Sequence, residues 1–380
     1  MHQIIFYPVG NGDTSQIILE NGKRILLDFR HLKKTEAGEG PEIDLKARLI
    51  DDLKKADKKS FDVVAFTHGD KDHIENSTEF FELLYAKKYQ GKDRIKIDQL
   101  WVPAAMILET AFNDEQSDEF TIWRQEARYR LKEGKGIRVF SKPEKLKDWL
   151  KENGLSVDSR RHMITDAGCV VPDFTLDKDG VEFFCHSPFI KHVDESDDLR
   201  NEAALIFNVR FKSGNNTFDY LASGDSICEV LEDIVAATKY HGNIDRLAWD
   251  IYSLPHHCSY RTLSDDKGDT ETKPKPLIKE LLLLGKENAY VVSSSNPIED
   301  TKEGREQKLP PHIQAKKCYE RYLKEVDGAK FLVTMEEPNK KKPEPIIFEI
   351  DNNGISRGGK AFGSGITILT SSPAPRAGVK

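Results

Sequence analysis

A disulfide framework is missing from this chain. Its five cysteines (Cys169, Cys185, Cys228, Cys258 and Cys318) are odd in number, scattered and without a C-x-x-C pair. That argues against covalent stapling and against a cysteine zinc site. Long apolar runs are missing too: the longest strongly apolar piece, Leu281 to Leu284, is far too short to span a bilayer. The first residues, His2 to Pro8, enter a strand-like pattern at once, with no basic n-region and no extended apolar segment of the secretory kind. Positive charge is not in excess. With 57 Lys and Arg against 64 Asp and Glu the net charge is -7, so nucleic-acid binding needs a local basic face rather than a bulk field. No repeat of solenoid period and no obvious linker divides the chain. These absences make a cytoplasmic protein without membrane contact the expectation.

At 380 residues, 38% of them hydrophobic and 32% charged, the chain has enough apolar material for a sizeable core. Residues 3–9 and 16–19 read as two strands joined by the turn Gly10-Asn11-Gly12-Asp13, and Lys23 to Asp28 as a third. This β-meander suggests one edge of a sandwich layer. Asp28 closes the third strand and has two readings, a turn former or a support behind the loop at 66–76. Glu42 to Lys58 has helical spacing, Phe61 to Phe66 reads as a buried strand, Ser77 to Lys87 as a helix, and 97–103 as another buried strand. From about Ala104 to Lys151 the composition turns charged and helix-favouring, with Arg124, Arg128, Arg130, Lys132, Lys135 and Arg138 in quick succession. This piece reads as a helical insertion whose basic stripe is either a phosphate-binding face or simply solvated.

Strands return at 136–140, 181–186, 203–211, 217–222, 247–254 and 289–293, and helices are expected at 227–238, 278–284 and 312–325. Phe331 to Thr334 and Pro345 to Ile350 are expected to close the fold as a strand pair. The Gly-, Ser- and Pro-rich tail after about Arg357 needs no fixed structure. The implied fold class is α+β, an α/β/β/α sandwich. It would form one domain over residues 1–356, with about 104–160 as an inserted charged helical segment and 357–380 as a flexible tail.

The chemistry concentrates at strand ends. FDVVAFTHGDKDHIEN (61–76) is a buried strand that stops in His68, Asp70, Asp72 and His73, four metal-binding side chains within six residues. Packed so closely, they would repel or desolvate badly without a cation. Three later positions share the context: His186 after VEFFC, Asp225 after DYLASG, and His256-His257 after IYSLP. Residues that cap strands on one side of a sheet converge in space. Singly each is weak, since a lone strand-end histidine is usually a surface or satisfied residue. Together they supply about seven ligands from four loops, the number that two divalent metals sharing a bridging carboxylate need.

In this order the motifs resemble the metallo-β-lactamase fold, and within it the metallo-hydrolase domain of ComEC-type competence DNA-uptake proteins. VGNGDTSQIIL (9–19) with GKRILLDFR (22–30) resembles that group's opening hairpin, and FTHGDKDHIEN (66–76) its H-x-D-x-D-H loop. VEFFCHSP (181–188) followed by NEAALIF (201–207) resembles its third motif and the next strand. YLASGD (220–225) resembles its L-x-T-G-D, and SLPHHCSY (253–260) its P-H-H-G-S. The resemblance covers roughly residues 1–335 apart from the charged stretch at about 104–160. It departs at Cys258, where that group usually has glycine, and in the charged insertion.

Carried over residue by residue, the resemblance implies His68, Asp70 and His186 on a first metal. It implies Asp72, His73 and one histidine of the 256/257 pair on a second, with Asp225 bridging. His257 is the favoured ligand, which leaves His256 as a nearby acid/base or supporting group, with Asp72 as the other candidate catalytic residue. Asp70, an oxygen where most of the fold has a nitrogen, shifts the preference from Zn2+ towards Mn2+ or Mg2+. His312 resembles a histidine in the last third of such proteins and either faces the cleft or starts a surface helix.

Two metals about 3.5–4 Å apart generate hydroxide at neutral pH and hold both oxygens of an in-line displacement. The resemblance therefore implies a metal-dependent hydrolase of phosphodiesters, DNA foremost, acting as a standalone nuclease in genome defence or DNA processing, with nucleic acid as its partner. Two other readings stand beside it. One is a small-molecule hydrolase of a phosphocholine-type ester, cyclic nucleotide, lactone or thioester, its cleft narrowed by the insertion. The other is a non-catalytic protein that docks a partner through 104–160.

Overall fold

The computed structural model describes residues 1–91, 93–109, 118–189, 193 and 203–358; from 359 onward the expected tail lies outside the described residues. The strands are β1 (His2–Phe6), β2 (Ser15–Ile18), β3 (Arg24–Leu27), β4 (Ser60–Ala65), β5 (Lys96–Pro103), β6 (Ile137–Phe140), β7 (Ile164–Thr165) and β8 (Val181–Ser187). They continue as β9 (Ile206–Ser213), β10 (Asn216–Ser223), β11 (Trp249–Ser253), β12 (Gly285–Ser293), β13 (Lys330–Val333), β14 (Ile346–Asp351) and β15 (Gly354–Arg357). One sheet has the order β15-β14-β1-β2-β3-β4-β5-β6-β7 and the other β13-β12-β11-β10-β9-β8. Helices α1 (Leu45–Lys55), α2 (Asp118–Glu133) and α3 (Glu144–Glu152) cover the outer face of the first sheet. Helices α4 (Cys228–Tyr240), α5 (Pro276–Leu282) and α6 (Ile313–Glu325) cover that of the second. The architecture is the α/β/β/α sandwich expected from the sequence.

Period-two alternation divides each strand between two cores. Ile25 and Leu27 of β3 and Trp101 of β5 point between the sheets, while Leu26, Leu100 and Val102 point to the helices. Each large apolar side chain buried this way contributes about 1.5–3 kcal/mol. Helix α1 starts at Asp44, whose carboxylate accepts from the Ala47 N–H. It buries Leu45, Leu49 and Leu53, spaced four apart, and carries Lys54 and Lys55 in its last turn, where the helix dipole favours cations. Strands β3 to β7 run parallel to one another, and so do β10 to β13.

Three elements differ from the sequence reading. Ser77 to Lys87 is not one helix: it makes a single turn, Ser77–Phe80, after which Phe81 bridges to Ile95. Phe80 and Phe81 are both buried, and neighbouring residues of a helix diverge by about 100°. Leaving the helix lets Phe81 pack edge-on against Phe29 and Trp123, with ring centres 5.3 and 6.0 Å apart. The closing strand pair also separates, because β13 adds to β12 and β14 to β1, in different sheets. The β12–α6–β13 crossover returns the chain parallel to β12, and β14 pairs instead with β15 through the turn at 351–354.

The third difference is the segment 104–160, which is built into the first sheet rather than set upon it: β6 lies between β5 and β7. Its arginines are used internally. Arg130 pairs with Glu126 at 2.6 Å and donates to the Ile97 and Gly136 carbonyls. Arg138 takes both oxygens of Asp173, and Arg128 donates to the Ile107 carbonyl. Arg124, Arg130 and Arg138 are buried, whereas Lys132 and Lys135 remain exposed. A continuous basic stripe does not form. No helix among the described residues is long and apolar enough to cross a membrane.

Candidate metal centre

The centre forms where the carboxyl ends of β3 and β4 meet those of β10 and β11. Strand β3 ends in Asp28, left-handed at φ 57, and β4 runs on into Thr67 and His68. Asp28 Oδ1 accepts from the Thr67 N–H at 2.7 Å, and Oδ2 accepts from the Thr67 hydroxyl at 2.6 Å and lies 2.8 Å from His73 Nδ1. A carboxylate on one imidazole nitrogen turns the other towards a metal position. The short helical turn Lys71–Ile74 carries Asp72 and His73 on neighbouring positions. Beside it the β1–β2 turn brings in Asp13, whose N–H donates to the Asp72 carbonyl at 3.3 Å. That approach requires Gly12, because a Cβ there would stand 2.7 Å from the Asp72 carbonyl oxygen and 2.0 Å from Arg30 Cδ.

From the second sheet, Asp225 follows β10 and His257 follows β11. His257 Nδ1 lies 2.9 Å from the Ser294 carbonyl, and Nε2 lies 3.1 Å from Asp72 Oδ2 and 3.3 Å from Asp225 Oδ2. His73 Nε2 is 3.3 Å from Asp225 Oδ1 and 4.0 Å from Asp13 Oδ2. Asp13, His73, Asp225 and His257 are all buried and offer ligand atoms within 4.8 Å of one another. Three residues in a row, His256, His257 and Cys258, hold φ of 50°, 51° and 66°. Left-handed backbone at non-glycine residues is strained, and here it turns His257 into the cluster. Cys258, where glycine would be the relaxed residue, is itself fully buried in the second sheet's outer core.

The electrostatics fit a cation. Asp13 Oδ2, His68 Nε2 and His73 Nε2 are buried without a hydrogen-bond partner, an arrangement that costs free energy unless something positive is shared among them. Burial alone would push Asp225 up and His73 and His257 down. Their mutual charges overcome it, holding Asp225 well below the usual carboxylate range and both imidazoles well above theirs. Burial raises Asp13 to about 6. It lowers His68 to about 4, helped by the charge of His73. Three carboxylates and two imidazoles drawn this close are a donor set for a divalent ion.

Neither a protein-family model nor a curated protein matches the chain. Solved structures do. One is a quorum-quenching N-acyl homoserine lactone lactonase, with 10% identity and a TM-score of 0.27, covering 58% of this chain and 71% of that one. Another is the metallo-β-lactamase GOB-18 from Elizabethkingia meningoseptica, at 13% identity and 0.27, covering 85% and 86%. A third is a long-form RNase Z from yeast, at 12% identity and 0.40, covering 87% of this chain and 40% of that one. Such values fix neither family nor substrate. The centre stands on its own side chains.

Of the residues singled out in the sequence, Asp72, His73, Asp225 and His257 come together, and His68 and Asp70 lie beside them with His68 Nε2 and Asp70 Oδ2 3.7 Å apart. The His68 and His73 ring centres are 3.9 Å apart. His186 does not join. It sits at the correct end of β8, but Val181, Phe183 and Cys185 take the inter-sheet face, so period two sends His186 to the outer face. There its Nε2 lies 2.9 Å from the Arg246 carbonyl and its Nδ1 3.4 Å from the Thr238 hydroxyl of α4. The placement of His186 on the first metal is therefore corrected.

His256 meets the cluster through its backbone, its N–H donating to Asp225 Oδ1 at 3.1 Å; its ring Nδ1 is buried without a partner. His312 is buried at the start of α6, with its N–H on the Cys258 carbonyl at 3.1 Å and its ring against Tyr260. It therefore braces the His256–Cys258 turn. Asp28 takes the supporting reading. The sequence reading places Asp13 only in a turn. The available signal was the meander itself, which puts the end of β1 on the same edge as the ends of β3 and β4.

Proposed function

We propose that this chain is a metal-dependent hydrolase of phosphodiesters, with DNA the first substrate to test. The observation that supports it above all is the cluster's composition: Asp13, Asp72 and Asp225 meet His73 and His257 at 3.1–4.0 Å. An oxygen-rich set suits Mn2+ or Mg2+ as well as Zn2+, and His68 with Asp70 offers a second position alongside. Divalent ions held there acidify water and neutralise the charge that builds on a phosphodiester during in-line displacement. The chain's own residues fix the rest. Asp28 and Thr67 set the His73 ring, and the Ser294 carbonyl sets His257. Asp72, with its side chain 36% exposed, is the cluster carboxylate that faces incoming substrate. His256, with Nδ1 unpartnered beside the cluster, supplies a proton to the leaving oxygen. The ComEC-type resemblance supports DNA over other phosphodiesters, and a standalone nuclease of this kind would serve genome defence or DNA processing.

One observation favours a small-molecule substrate instead: the arginines that one reading of the sequence offered to a phosphate backbone are engaged inside the protein. The deciding experiment is elemental analysis of the purified protein, then activity with each metal added back. Single- and double-stranded DNA would be set beside bis-nitrophenyl phosphate and a panel of chromogenic esters, lactones and thioesters. The nuclease reading expects DNA cleavage in manganese that Asp70→Ala and Asp225→Ala reduce. DNA degradation by both variants at the parental rate would sink it.

A further inference from the structure

Helix α2 contributes no ligand to the centre, yet it touches the metal loop at both ends. At the entrance the Phe120 ring lies on Gly69, the residue between His68 and Asp70. A Cβ built at Gly69 would stand 2.2 Å from Phe120 Cδ2 and 2.3 Å from Cε2, so glycine is the residue that fits. At the exit the Glu119 carboxylate accepts from the Asn76 N–H at 2.6 Å, the Thr78 N–H at 3.0 Å and the Thr78 hydroxyl at 2.8 Å. Asn76 is left-handed at φ 59, a backbone that needs outside support at a residue other than glycine. One turn further along α2, the Trp123 indole N–H donates to Ser77 Oγ at 2.7 Å, and that hydroxyl donates to the Ile74 carbonyl.

The helix is itself anchored. Glu126 accepts from the Leu84 and Tyr85 N–H groups at 2.8 and 3.0 Å, and Arg130 ties it to β5 through the Ile97 carbonyl. On the opposite side of the loop, Phe29 and His31 N–H groups donate to the His73 and Glu75 carbonyls at 2.9 and 3.0 Å. That side also holds Asp28, which orients His73 directly. His68 is reached by Asp28 only through the Thr67 hydroxyl, 3.1 Å from its Nδ1, and the backbone that follows it is braced by Phe120.

We propose that α2 is a clamp that sets metal affinity at the His68–Asp70 end of the centre, with Glu119, Phe120 and Trp123 as positioning residues. The effect on affinity rests on the metal-centre reading above, whereas the effect on local order does not. The segment that looked from composition like an attachment thus fixes the loop that carries the chemistry.

The test uses Glu119→Ala, Gly69→Ala, and Gly69→Ala combined with Phe120→Ala. Hydrogen exchange is followed in the metal-free full chain, and Zn2+ and Mn2+ affinities are measured by chelator competition. In Glu119→Ala, exchange should quicken across residues 69–78 and stay parental in the second sheet. Its metal affinity should fall roughly 10–100-fold, the usual cost of losing an outer residue of a metal site. Gly69→Ala should lose affinity similarly, and removing the Phe120 ring on top of it should restore most of the loss. Parental exchange and affinity in Glu119→Ala would overturn the clamp. So would faster exchange throughout the molecule, which marks general destabilisation, or a Gly69→Ala defect that Phe120→Ala leaves untouched. A parental protein that binds neither metal overturns the metal-centre reading instead, so the two failures are read separately.

Discussion

Around Asp225, strand ends from both sheets deliver Asp13, Asp72, His73 and His257 with nitrogen–oxygen separations of 3.1–4.0 Å. Around His68, Asp70 comes near at 3.7 Å, while His186, expected as the third ligand there, is hydrogen-bonded to Arg246 on the other face of its strand. The difference lies in what holds each half. The Asp225 half has its imidazoles oriented by Asp28 and the Ser294 carbonyl. In the His68 half the ring Nδ1 meets the Thr67 hydroxyl at 3.1 Å rather than a carboxylate, and the loop beyond it is pressed against α2. A rigid half and a supported half should bind metal unequally, the first tightly and the second weakly.

The largest expected effect comes from breaking the rigid half. Asp225→Ala and His257→Ala should abolish tight metal binding and reduce hydrolysis by more than the roughly 10–100-fold that outer residues cost, read by elemental analysis and turnover of bis-nitrophenyl phosphate. His68→Ala should keep one tightly held equivalent and lose the weaker one. If His68→Ala strips all metal while His257→Ala keeps some, the ranking of the halves is inverted. Next in size, Asp28→Asn should lower metal affinity about 10–100-fold, because one amide oxygen cannot replace two carboxylate oxygens, one accepting from the Thr67 N–H and the other facing the Thr67 hydroxyl and His73; chelator competition measures it.

His186→Ala should leave metal content unchanged and cost about 1–3 kcal/mol of stability through the broken buried hydrogen bonds, seen in denaturant unfolding. A fall in metal content would show that the strand end rearranges to bring His186 in. The smallest effect is in acid. Burial holds His186 and His312 down at about 4 from an ordinary 6.5. The unfolded chain therefore takes up protons that the folded chain refuses, and stability should fall as pH drops from about 6.5 to about 4. Thermal unfolding of the chelated protein across that window should show a shallower fall in His312→Gln than in the parent.

Much of this was legible in the sequence. Strand and helix types follow from period two against period 3.6, and the ligand-rich loops announced themselves by falling at strand ends. Three features were not legible to that reading. A strand end places His186 on an edge, but the face depends on the parity of the strand, which VEFFC encodes through Val181, Phe183 and Cys185. Asp13 sat in a turn whose glycines drew notice for their backbone freedom rather than for the close approach Gly12 permits. The arginines after residue 120 looked like a solvent face because composition does not say which charges will find Glu126, Asp173 or a carbonyl.

What the sequence determined by itself was the two-sheet sandwich and the presence of a histidine- and aspartate-rich edge, since both depend on local periodicity and on residue type. What the tertiary structure alone decided was which side chains meet: Asp13 in, His257 inward and His256 beside it, and α2 as the brace of the loop. Those depend on side-chain direction and on contacts between residues tens to hundreds of positions apart, where a turn of one residue exchanges one face of a strand for the other.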